Sequence, residues 1–66
     1  MTETTALLRA IHYDVVAVIG FLVALHDKGG VTAGTSIDAA CEATLNARKY
    51  YDMAAELAEE AANDAQ

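Results

Sequence analysis

The sequence predicts an all-α chain, a two-helix antiparallel hairpin that assembles into a helical bundle through its first helix. Three observations carry this expectation. Alanine, the best helix former, supplies 15 of 66 residues, and proline, the worst, is absent. Three of the four glycines fall within Lys28–Ser36, the only obvious break in the chain. Leu8, Ile11, Val15, Val18, Leu22 and Leu25 follow a 3-4-3-4-3 spacing, the signature of a heptad seam. The β-branched run Val15–Leu25 would suit a buried strand in isolation, but that spacing is helical.

The expected layout is a single domain over residues 1–66: a helix over about 4–28, a glycine-rich loop over 29–36 and a helix over about 37–63. Thr2, Thr4 and Thr5 are candidate N-caps for the first helix, and Glu3 suits the positive end of its dipole. Lys28 suits the negative end, and Gly29 is a natural residue to follow the last turn. Thr35 or Ser36 is expected to cap the second helix, with Asp38 completing a variant capping box.

On a helical wheel the first helix carries an apolar arc of roughly 180°, wider than the ~100° stripe that one partner covers. Its other side holds Ala10, Ala17, Gly20 and Ala24, with Tyr13 beside them, and these small residues permit close backbone approach. The second helix has an alanine-rich arc that includes Ala40, Ala43, Ala47, Ala54, Tyr50 and Tyr51. That arc is expected to fit against the Leu/Ile/Val face of the first helix, small against large. A mainly acidic face of Asp38, Glu42, Lys49, Asp52, Glu56 and Glu60 lies opposite. An alanine-rich helix cannot cover a half-cylinder of large side chains, so assembly follows. The predicted self-association interface is Leu8, Ile11, Val15, Val18, Ile19, Leu22 and Leu25, satisfied by copies of the chain or by a larger protein scaffold. A second contact surface is expected from Leu45 and Met53 with Glu56, Glu59 and Glu60.

Composition excludes several classes. Ten acidic and four basic residues, net charge −6, leave no footprint for nucleic-acid phosphate. A lone Cys41 permits no internal disulfide and reads as a small buried hydrophobe. No Cys/His cluster offers a metal site, and His12 and Asp14 point to different sides of their helix. Asp14 sits at the rim of the apolar arc, within reach of a neighbour's Arg9, Arg48 or Lys49. Gly29 to Ser36 resembles a phosphate loop only superficially, since Thr35 stands where the lysine belongs and a helix precedes it. No catalytic residue, cofactor or metal is expected, and the chain does not read as an enzyme.

The layout resembles that of the RNA-binding Rop regulators, short helical hairpins that dimerise into four-helix bundles, although no motif is shared and the outer face here is acidic. The main functional expectation is a non-enzymatic assembly protein, for example an accessory or decoration subunit of a phage virion. A small acidic regulator or inhibitor that binds a basic protein surface is the alternative. A holin-like membrane protein is a further one, with the uninterrupted run of eleven apolar residues short of the ~20 that a span needs. Membrane insertion is therefore not favoured. With no basic leader or cleavage site before that run, a cytoplasmic place, or one inside an assembled particle, is expected.

Overall fold

A computed structural model describes residues 1–28 and 30–64, apart from the side chains of Val31 and Thr32. The chain is an all-α hairpin. Helix α1 spans Glu3–Asp27 and helix α2 spans Val31–Asp64. Thr2 caps α1: its hydroxyl accepts the backbone N–H of Thr5 at 3.1 Å. Lys28 ends α1 in the left-handed region, at φ 50° and ψ 48°, with its N–H donating to the carbonyls of Ala24 and Leu25. The αL position is therefore filled by a lysine; Gly29, expected there, lies outside the described residues.

The second helix starts six residues earlier than the sequence suggested. Val31 to Ser36 are helical, so Thr35 and Ser36 form no capping box and the break shrinks to residues 28–30. Tertiary packing overrides the local signals here. Extending α2 back to Val31 lets Ala33, 5% exposed, pack beneath the last turns of α1.

The core consists of alanine alone. Ala6, Ala10, Ala17 and Ala24 of α1 meet Ala33, Ala40, Ala43, Ala47 and Ala54 of α2, and no larger side chain is fully buried among the described residues. Both sets are heptad seams. In α1 the series Ala6, Ala10, Tyr13, Ala17, Gly20, Ala24 runs 4-3-4-3-4, and in α2 the series Ala33, Ser36, Ala40, Ala43, Ala47, Tyr50, Ala54 runs 3-4-3-4-3-4. The expected packing of α2 alanines on the Leu/Ile/Val face is thus corrected: small meets small. Side chains of one methyl group let the two backbones close up. A Cβ placed on Gly20 would lie 2.9 Å from the Ala40 Cβ and 3.0 Å from the Ser36 carbonyl oxygen. Interaxial distances near the 8 Å end of the helix-packing range require contacts of this kind.

The hairpin is long and thin, with Cα extents of 55 × 14 × 13 Å. Its register places Gly20 beside Ala40 and Tyr13 beside Tyr50. The same register carries Glu3 to the level of Leu57, so residues 58–64 of α2 run past the start of α1. Burial agrees with this: Ala54 is buried, Leu57 and Ala58 are half-buried, and Ala61 and Ala62 are exposed.

Candidate functional site

All eleven Leu, Ile, Val and Phe side chains of α1 are exposed, by 37% to 73%. The seam of Leu8, Ile11, Val15, Val18, Leu22 and Leu25, together with Ile19, lies on the side of α1 away from α2. At 100° per residue its centre stands roughly 160° around the helix from the alanine seam. The exposed side chains leave on the order of 1,000 Å² of apolar surface in water, whereas soluble monomers rarely present patches beyond a few hundred Å².

Two ionisable groups of α1, Arg9 and Asp14, engage tyrosines of α2, while the exposed His26, five full turns beyond Leu8, shares the direction of the apolar face near the turn. The Arg9 guanidinium sits 5.7 Å from the centroid of the Tyr50 ring, and the Lys49 ammonium lies 5.8 Å from the same ring. Tyr50 also stacks on Tyr13, with centroids 5.8 Å apart and planes 9° apart, and His12 packs its ring edgewise against Tyr13 at 5.4 Å. Asp14, at the margin of the apolar face, accepts a hydrogen bond of 2.6 Å from the Tyr51 hydroxyl of α2. Within the hairpin its partner is therefore Tyr51. The bond to the Asp14 carboxylate, then burial, hold the Tyr51 hydroxyl above the usual tyrosine value.

At the turn end, Phe21, Ala24 and Leu25 of α1 and Ala33 and Ile37 of α2 line an open apolar groove of about 350 Å³. It extends the exposed face of α1 onto α2. Sequence reasoning missed this groove because it treated Ala33 as part of a loop.

The predicted second surface divides. Leu45 is 65% exposed, whereas Met53 is half-buried and does not share Leu45's open position. Glu56, Glu59 and Glu60 are exposed, the last two on the part of α2 that outruns α1. Cys41 is exposed, not buried as its alanine-rich neighbourhood suggested, because it lies off the seam of Ala40 and Ala43. His26 is exposed near the turn. Among the described residues no three His, Cys, Asp or Glu side chains converge as a metal site would require. By length and composition, α1 is also able to cross a membrane; three ionisable residues inside it, Arg9, His12 and Asp14, interrupt the longer apolar stretch that the count of consecutive residues did not credit.

No protein-family model, curated protein or solved structure matches this chain.

Proposed function

We propose that this chain is a non-enzymatic assembly subunit whose product is a surface: an alanine-zipped hairpin that packs into a larger protein body through the outer face of α1. The exposure of every large apolar side chain of α1 carries this reading. The fully buried part of the hairpin interface is alanine, each methyl worth ~0.8 kcal/mol on burial, with Tyr13 stacked on Tyr50 beside it, and the large aliphatic side chains of α1 are left for another partner. A helix that is apolar all round is normally buried in a protein core or a bilayer. The charge distribution supports assembly with α2 outward, since seven of the ten acids lie between residues 31 and 64. A virion accessory role is one setting that fits such a subunit.

The test is the mass of the purified chain by light scattering in detergent-free buffer, beside Val18→Asp. Assembly predicts a discrete multimer that loses its mass on Val18→Asp, because a carboxylate there would be desolvated without a partner. A monomer overturns assembly from its own copies, and a variant that keeps both helicity and mass overturns the assignment of the α1 face.

Membrane insertion of α1 is the second reading, favoured by the length and apolar character of that helix. Two features weigh against it. An acidic chain of net charge −6 is repelled by anionic lipid surfaces. The ionisable residues Arg9, His12 and Asp14 interrupt the first half of α1. Extraction of the chain from cell membranes by detergent alone, and not by salt or alkaline carbonate, would favour insertion over assembly.

A further inference from the structure

The geometry points to a second copy of this chain as the occupant of the α1 face, paired antiparallel about a two-fold axis between Val16 and Ala17. This rests on the assembly reading above and specifies its partner and register. The first argument is the order of side chains along the seam. About that axis Leu8 faces Leu25 of the other copy, Ile11 faces Leu22, and Val15 faces Val18. In these three pairs leucines meet at the ends and valines at the centre, each matched in bulk, while Ile19 at the margin of the face falls level with Asp14 of the other copy. An antiparallel pairing needs this palindrome; a parallel pairing matches like with like for any sequence and leaves it unexplained. An isologous interface is by definition self-complementary in this way.

The second argument is area. The apolar surface of α1 is on the order of the ~800 Å² per partner that a standard stable interface buries. A second hairpin can reach it without displacing α2, which packs on the opposite side of α1. Arg9 is turned to Tyr50 and Asp14 is bonded to Tyr51, so closing the interface strands neither charge.

The third argument is charge. The part of α2 that outruns α1 carries Glu59, Glu60 and Asp64. A parallel pair would set two such acidic ends side by side. The antiparallel pair sends them to opposite ends of the assembly, each toward the turn of the other copy, where His26, Asp27 and Lys28 carry no net negative charge. It also opposes the α1 dipoles.

The test is directed cross-linking of the full chain in a Cys41→Ser background. Two forms distinguishable by mass, one bearing Leu8→Cys and one Leu25→Cys, are co-expressed and mildly oxidised. The antiparallel register brings positions 8 and 25 of different copies within disulfide reach, while the two copies of position 8 stand ~25 Å apart along the axis. The expected result is a mixed disulfide at least about tenfold above either homotypic one, repeated with Ile11→Cys and Leu22→Cys. These substitutions lie at the ends of the seam and spare the alanine core, and circular dichroism checks that helix content is kept. Homotypic cross-links at position 8, or a multimer without cross-links at either pair, overturn the two-fold register and leave the assembly reading standing. A monomeric mass before any substitution overturns both, as does a chain recovered only on lipid vesicles.

Discussion

Gly20 and Gly34 make a paired test of the hairpin, because the same chemical change has opposite consequences at the two positions. Both glycines are helical, in α1 and α2 respectively. Replacing a helix-interior glycine with alanine gains about 0.5–1 kcal/mol by reducing backbone freedom in the unfolded chain. At Gly34 nothing lies within 4 Å of the added methyl group, so that gain is realised in full. At Gly20 the new Cβ would stand 2.9 Å from the Ala40 Cβ and 3.0 Å from the Ser36 carbonyl oxygen. Carbon atoms pack at about 3.5–4.0 Å, so the helices must part locally by several tenths of an ångström. Neither neighbour is the end of a flexible side chain that can swing aside. One is a methyl fixed to the helix and the other is backbone. Overpacking of this kind costs about 1–3 kcal/mol. After the propensity gain, Gly20→Ala is destabilising by about 1–2 kcal/mol. The assay is thermal unfolding followed by circular dichroism at one fixed protein concentration, since assembly makes the midpoint concentration-dependent. For a chain of this size 1 kcal/mol corresponds to about 4–8 °C. The expected result is a higher Tm for Gly34→Ala and a Tm lower by about 4–15 °C for Gly20→Ala. Equal increases at both positions would mean that α1 and α2 do not meet across Gly20, and the alanine seam would be wrongly placed.

Other outcomes follow from single features. Lys28 occupies the left-handed region with φ 50°, which costs a side-chain-bearing residue about 1 kcal/mol relative to glycine, so Lys28→Gly is expected to raise the Tm by several degrees. The Tyr51 hydroxyl donates to Asp14 and its pKa is raised, so the stability from this bond is complete below pH ~10 and is lost as the pH rises through the higher folded value. Ultraviolet titration of the three tyrosines is expected to contain one late-ionising component that vanishes in Tyr51→Phe; persistence of the late component in that variant, or its absence from the parent curve, would rule out the interhelical bond. Cys41 is exposed on α2, so thiol reagents are expected to modify it in the folded chain without prior unfolding; protection until denaturation would place Cys41 inside an interface.

Much of the fold is legible in local sequence. Alanine content, missing proline and the clustered glycines determine two helices and one break. Thr2 is among the residues whose chemistry suits an N-cap, and it is the one used. The start of α2 is not legible. Thr35, Ser36 and Asp38 carry stronger local capping chemistry than Val31, yet helix continues through them because Ala33 gains burial against α1. Asp14 is legible as a rim residue, but its partner is not, since Tyr51 is 37 positions away and meets it only through the hairpin register. Cys41 shows the same limit, where one step off the seam changes buried to exposed.

The sequence by itself determined that α1 has two usable faces, one of large apolar side chains and one of alanine and glycine. Only the tertiary structure decided which face closes the hairpin. A connection confined to residues 28–30 forces the two axes close together. Alanine and glycine allow that approach, and rows of leucine, isoleucine and valine would hold the backbones apart. The small seam is therefore used within the chain, and the large one is left facing outward.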